Sequence, residues 1–235
     1  MGLSANPATR RGVVVLSLIL IFAYPQFSVP VQASIHNLVP RFGLTEARVI
    51  TESAIWLYGA IVLAIALFWE RRTLASIGLR KPSLASLGFG ICGAAAMAAA
   101  GALAAYVVYS LLHQPGHANE QAAALVGGSA VYALCVAVRA GVVEEILFRG
   151  LAIEQLTVLT GRRWFAAVVA TAIFVLSHAL HFDWIQLIPI AAVSIVLAGL
   201  YLWRHDLWSN IIAHIVVDGV GLVTLALQTQ KLAHS

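Results

Sequence analysis

The chain has 235 residues, of which 61% are hydrophobic and only 10% are charged, and its mean hydropathy is +0.90. This balance excludes an ordinary soluble globular domain and predicts a protein with several membrane spans. The formal charge of +4 does not indicate nucleic-acid binding, because the basic residues form no stripe and occur in pairs at the ends of apolar segments. Cys92 and Cys135 both lie in apolar runs and indicate neither a disulfide nor a zinc site.

Seven apolar stretches are long enough to cross the hydrocarbon core, which requires about 20 helical residues. They lie at about 13–32, 49–69, 84–112, 123–158, 164–181, 185–203 and 207–229. We find no internal repeat, and the loops are too short for a soluble module. The sequence therefore predicts an all-α, polytopic transmembrane helix bundle. It forms a single integral-membrane domain over residues 1–235, with a motif-bearing core at about 123–229.

The first segment, 13–32, has two interpretations. Arg10 and Arg11, the apolar run that ends at Tyr24, and the small residues near Ala33 are typical of a signal peptide or signal anchor. We favour a retained helix, because multi-pass proteins commonly begin with one. The later topology is the same in both cases.

The distribution of Lys and Arg predicts the orientation of the bundle. Nine fall on one side: Arg10, Arg11, Arg71, Arg72, Arg80, Lys81, Arg162, Arg163 and Arg204. Arg41, Arg48 and Lys231 fall on the other side, and Arg139 and Arg149 lie within a span. The positive-inside rule then predicts a cytoplasmic N-terminus in a cell-membrane protein.

The later spans contain ionisable residues, which are costly in hydrocarbon and are therefore candidates for a functional site. These residues are Arg139, Glu144, Glu145, Arg149, Glu154, His178, His214 and Asp218. We expect Glu154 to be solvated at the cytoplasmic interface. The sequence names no partner for Arg139.

Helical spacing separates the two adjacent glutamates. Glu145 and Arg149 are four residues apart and share a helix face, so they are expected to pair. Glu144 is rotated by about 100° and has no partner on its own helix. We interpret Glu144 as a general base and the pair as its support. A purely stabilising intramembrane ion pair is the alternative.

Two further segments place imidazoles in the membrane. Phe174 precedes His178 by one turn, and His214 precedes Asp218 by one turn, which is the spacing of an orienting pair. Counted along the helices, Glu144, His178, His214 and Asp218 can meet at one depth. We expect them to face one polar cavity that opens toward the cytoplasm.

Three ordered motifs resemble the CPBP family of intramembrane proteases, which includes type II CAAX prenyl proteases and bacterial relatives associated with bacteriocin processing and immunity. Glu144 to Arg149 is similar to the family's EExxxR, Phe174 to His178 to its FxxxH, and His214 to Asp218 to its HxxxN. The resemblance covers about residues 140–220. Asp218 departs from it, because the family more usually has Asn at this position.

The resemblance implies an intramembrane endopeptidase that acts on membrane-associated peptides or proteins. Glu144 would activate water, and His178 and His214 would stabilise the tetrahedral intermediate. An ionised Asp218 cannot donate to an oxyanion as Asn does, so it would be protonated, orient His214 or bind a metal. The resemblance leaves open whether zinc or another divalent metal is bound, with Glu144, His178 and His214 as candidate ligands. It implies no other cofactor.

Two other classes of function stay open at this point. A proton- or ion-coupled transporter also uses intramembrane Glu, His and Arg, although the chain has no inverted repeat. A non-enzymatic immunity or scaffold protein of the same family would keep the fold without the chemistry.

Overall fold

The computed structural model describes residues 7–112 and 129–233, with side chains over 11–111 and 129–231. Within these ranges the chain is helical and contains no β-strand, which confirms the predicted all-α bundle. The helices are α1 (Pro7–Ala33), α2 (Ile35–Phe42), α3 (Leu44–Ala64, extended by the π-helical Ile65–Trp69), α4 (Leu84–Leu112), α5 (Ala130–Arg139, Ala140–Ala152 and Ile153–Thr160), α6 (Arg163–Ser177), α7 (Leu187–Arg204) and α8 (Leu207–Ala233).

The predicted spans correspond to these helices. Six of them are long and apolar enough to cross a membrane. The remaining long helix, α5, is the one that carries Arg139, Glu144, Glu145 and Arg149. The predicted start of the fourth span, at about 123, lies outside the described residues.

Packing places α5 at the centre of the bundle. The largest cluster of buried apolar side chains joins α1, α3, α5 and α6. A second cluster joins α4, α7 and α8, and α8 also packs along α5. Helix α5 therefore packs against both α6 and α8, which are the other two helices that carry sequence motifs.

The middle of α5 is a π-helix, Ala140–Ala152, in which the backbone hydrogen bonds run from i to i+5. Gly141 near its start lets α8 approach closely: a Cβ there would lie 2.5 Å from Ile215 Cγ1 and 3.1 Å from the Ile215 backbone nitrogen. Both glutamates and Arg149 lie in this segment. The sequence predicts an α-helix here, so the π-helix corrects that expectation.

The loops that carry most of the basic residues meet at one end of the bundle, which we call the basic face. Leu207 N donates to Gly78 O (3.0 Å), and Trp208 Nε1 donates to Arg80 O (2.7 Å). These contacts join the α3–α4 loop to the start of α8. Arg163 at the start of α6 pairs with Glu154 near the end of α5 (3.4 Å). Arg11 at the start of α1 lines a pocket together with Arg71 and Arg72. The basic face thus comprises the ends of α3, α5 and α7 and the starts of α1, α4, α6 and α8.

Candidate active site

A cavity of about 750 Å³ lies between α1, α4, α5, α6, α7 and α8. Glu144, His178, His214 and Asp218 all line it, so the structure brings these four predicted side chains together. The exposed lining is mainly apolar, which corrects the expectation of a polar cavity.

Glu145 lies behind the cavity wall and is fully buried. Its Oε1 accepts from Arg149 Nη1 at 2.8 Å, which confirms the predicted pair. The same oxygen is 2.8 Å from His214 Nδ1, and Oε2 accepts from Asn210 Nδ2 at 3.2 Å. Glu145 therefore connects α5 to α8 as well as neutralising Arg149.

His214 lies between two carboxylates. Its Nδ1 faces Glu145, and its Nε2 is 3.3 Å from Asp218 Oδ2. Because a carboxylate only accepts, Nδ1 must carry the proton that it shares with Glu145. The sequence predicts Asp218 as the partner that orients His214, and the structure adds Glu145 with the shorter contact.

Glu144 is partly exposed to the cavity and has a looser environment. Its nearest charged partner is Arg139, whose Nη1 lies 3.5 Å from Glu144 Oε1. Arg139 is held more closely by Glu52 Oε2 (3.1 Å) and by the Tyr24 hydroxyl (3.2 Å). Since Glu52 neutralises this guanidinium, the negative charge of the Glu144 carboxylate is only weakly balanced by a positive charge nearby.

His178 closes the last turn of α6. Its Nδ1 lies 2.8 Å from Phe174 O, and because a carbonyl only accepts, Nδ1 is the donor and Nε2 remains for other partners. The Phe174 ring lies between this imidazole (4.7 Å between centroids) and the Arg149 guanidinium (4.3 Å). Phe174 thereby connects the FxxxH and EExxxR motifs.

The residues present do not fit a resident metal ion. Among the described residues, no group of three His, Cys, Asp or Glu side chains has the arrangement that a metal requires. Both ring nitrogens of His214 already face carboxylates. Glu144, His178 and His214 therefore do not form the ligand set considered from the sequence, and no step below is assigned to a metal.

Three residues of this neighbourhood escape the sequence analysis, and a fourth, His181, is expected only at the outer interface. Glu52 carries a signal, namely a carboxylate in an apolar run, and Asn210 precedes His214 by one turn on the same face. Tyr24, which lines the cavity, has no distinctive pattern, and His181, which follows His178 by three residues, also lines it. Arg139, for which the sequence names no partner, is paired through Glu52 and Tyr24.

One expectation about position holds only in part, and another is wrong. Glu154 is not simply solvated: it accepts from the Tyr201 hydroxyl (3.1 Å) and lies 3.2 Å from His205 Nε2. The cavity does not extend to the basic face, because its lining runs from about the middle of the bundle, as at His214 and Phe148, toward the opposite end, as at His178 at the far end of α6.

Comparison with known proteins supports the resemblance. Residues 126–220, which contain all three motifs, match the family model described as Type II CAAX prenyl endopeptidase Rce1-like. No curated protein and no solved structure matches the chain. The match confirms the family resemblance and supports intramembrane protease activity in general for this multi-pass membrane protein.

Proposed function

We propose that this protein is an intramembrane endopeptidase in which Glu144 activates water. The match of residues 126–220 to the Rce1-like family model supports this proposal. The observation that carries the proposal is the separation of the two glutamates. Glu144 lines the same cavity as the imidazoles of His178 and His214, whereas Glu145 is buried and hydrogen-bonded through both of its oxygens. A carboxylate whose charge is only weakly balanced by a nearby cation can accept a proton and so suits a general base.

In the proposed reaction, Glu144 takes a proton from a water molecule in the cavity, and the hydroxide oxygen bonds to the carbonyl carbon of the scissile peptide. The carbonyl oxygen becomes an oxyanion. Glu144 then returns the proton to the leaving nitrogen as the C–N bond breaks. The oxyanion re-forms the carbonyl, and the products are one new carboxylic acid and one new amine, so the atoms and protons balance; the acid then gives its proton to the amine.

His214 is the proposed partner of the oxyanion. As an imidazolium it donates from Nδ1 to Glu145 and keeps a second N–H at Nε2. The 3.3 Å separation between Nε2 and Asp218 is long for a charged hydrogen bond, so this N–H is only weakly engaged. A preorganised cationic donor of this kind stabilises developing negative charge.

His178 is the second proposed donor. Because Nδ1 is held by the Phe174 carbonyl, Nε2 is the nitrogen that can act on a substrate. In this scheme Asp218 orients His214 and does not contact the oxyanion, so the replacement of the family's more usual Asn is compatible with activity.

The test is hydrolysis of a peptide library by purified protein in H₂¹⁸O, with new peptide ends identified by mass spectrometry. Wild-type protein should produce new carboxyl termini that contain ¹⁸O, and Glu144→Gln should produce none. Glu46→Gln, which changes an exposed carboxylate on α3, is the matched control and should retain activity. Cleavage that persists in Glu144→Gln would contradict the assignment of the base.

A transporter is the second candidate from the sequence, and it predicts a different result. A proton-coupled transporter would acidify or alkalise proteoliposomes without producing new peptide ends. We favour the protease, because the three motifs that contribute residues to the cavity lie within the region that matches the family model.

A further inference from the structure

The charged helix ends give the bundle two unlike faces. Nine of the 14 Lys and Arg residues belong to the ends that form the basic face, and three lie at the opposite end. The contacts of Leu207 with Gly78 and of Arg163 with Glu154 show that these basic ends meet in space. By the positive-inside rule, the basic face lies in the cytoplasm.

The cavity extends from about the middle of the bundle toward the end opposite to the basic face. Helix α6 starts at the basic face with Arg163, and His178 follows 15 residues later, about 22 Å along the axis. Helix α8 also runs away from this face, and its residues that line the cavity begin at His214 and continue to Gln228 near its end. Helix α7 runs toward the basic face, and its lining residues, from Pro189 to Leu197, end about two turns before Arg204 at the basic face.

The connection between α6 and α7 agrees with this placement. It lies at the end opposite to the basic face, and it contributes His181, Phe182 and Gln186 to the lining. Helix α1 contributes Tyr24 to Gln32, which again lie toward the end away from Arg11. Four helices and one loop thus place the cavity on the same side.

The lining indicates what the cavity accepts. Its walls include Met97, Phe148, Phe182, Val193 and Leu225, and the exposed lining is mainly apolar. The guanidinium in the lining, Arg139, is already paired with Glu52, so the lining offers little attraction to an anionic head group. An extended apolar peptide fits such a cleft better than a charged ligand does.

We propose that the substrate enters from the extracytoplasmic side, and that it is an apolar peptide segment such as the outer end of a membrane span or an exported peptide. The substrate class rests on the proposed endopeptidase function, whereas the side of entry rests on the charge distribution and the position of the cavity. A carboxyl-terminal tail of a cytoplasmic protein would reach the basic face instead.

Cysteine labelling tests the side of entry without any enzymatic readout. In a background with Cys92→Ala and Cys135→Ala, Gln228→Cys places a thiol on an exposed residue of the cavity, and Ala75→Cys places the matched control on the basic face. A membrane-impermeant maleimide should label the first variant in spheroplasts of a bacterial host and the second only in inverted vesicles. The reverse pattern overturns the proposal. Thr224→Cys, also exposed and in the lining, replaces Gln228→Cys if that variant does not accumulate.

Reporter cleavage tests the substrate class. Two single-span reporters carry the same apolar segment, one at the extracytoplasmic end of the span and one at the cytoplasmic end. Wild-type protein should cleave only the first, and Glu144→Gln should cleave neither. Cleavage of the cytoplasmic reporter overturns the proposal. Labelling on the outer side with no cleavage of either reporter contradicts the proposed function and the substrate class, while the position of the cavity stands.

Discussion

Glu144 and Glu145 are adjacent in the chain but lie in different environments. Glu145 has no exposed surface and contacts three side chains, Arg149, Asn210 and His214. Glu144 faces the cavity and has one charged neighbour at 3.5 Å. Because a buried and fully hydrogen-bonded carboxylate cannot readily exchange protons with water, the two residues should respond differently to the same substitution.

Glu144→Gln should abolish peptide hydrolysis while the protein stays folded. The amide keeps the shape of the side chain but cannot accept the proton of water, and general-base catalysis contributes about 10²–10⁴-fold. The measurement is the rate of ¹⁸O incorporation together with the melting temperature in detergent. A loss of activity that is explained by a large drop in melting temperature would contradict a purely chemical role.

Glu145→Gln should lower the melting temperature more than Glu144→Gln does. It leaves Arg149 buried without its countercharge, and breaking a buried ion pair costs about 3–5 kcal/mol. Activity should also fall, because His214 loses the acceptor of its Nδ1–H. Glu145→Gln combined with Arg149→Met should recover part of the stability. Equal melting temperatures for the two single Gln variants would show that Glu145 is not more important for stability than Glu144.

Asp218→Asn should retain activity within about tenfold of the wild type, which is the low end of the cost of losing an orienting partner of an imidazole, because Glu145 still holds Nδ1 of His214. The Asn carbonyl can also accept from Nε2–H. The measurement is the cleavage rate with and without a chelator, with Asp218→Leu as the comparison. An inactive Asn variant, together with a parent protein that chelation stops, would instead make this a metal site.

At the scale of one element, α5 positions the site through its π-helical middle. The wider helix carries Glu144 toward the cavity and Glu145 toward α8. π-Helical segments frequently occur at functional sites. The close approach of α8 depends on Gly141, where any Cβ would meet Ile215.

Gly141→Ala should therefore push α8 away from α5 and separate His214 from Glu145. Overpacking typically costs about 1–3 kcal/mol, so both melting temperature and activity should fall. Gly199→Ala is the control, because a Cβ there has no neighbour within 4 Å and Ala favours a helix. Its melting temperature should stay the same or rise. Similar behaviour of the two variants would show that close packing at Gly141 is not required.

At the scale of the whole molecule, Arg139 joins three helices that are distant in the chain. It donates to Tyr24 on α1 and to Glu52 on α3, and Glu52 also accepts from the Tyr132 hydroxyl at 3.2 Å. This network forms one wall of the cavity beside Glu144. We infer that it limits how strongly Arg139 can neutralise the base.

Glu52→Gln should reduce the cleavage rate by less than Glu144→Gln does, because Arg139 would then turn its full charge toward Glu144 and weaken it as a base. The measurement compares kcat and KM for one peptide, and the effect should lie in kcat. Glu46→Gln, on the same helix but exposed, should leave both parameters unchanged. An effect on KM alone would place Glu52 in substrate binding.

By itself the sequence determined the features that belong to single segments. Apolar runs of spanning length predict the helices, and the three motifs predict the family and the residues that line the cavity. The pair of Glu145 with Arg149 was also predictable, since residues four apart on one helix share a face. These features depend on local spacing and composition, which are present before any helix packs.

Only the tertiary structure decided which side chains on different helices contact each other. Arg139 meets Glu52 and Tyr24, which lie 87 and 115 residues earlier, and Glu145 meets His214, which lies 69 residues later. Such contacts depend on how each helix is rotated and how closely it packs, as at Gly141. The end of the bundle toward which the cavity extends is decided in the same way, because the cavity is a space between several helices and no single segment specifies it.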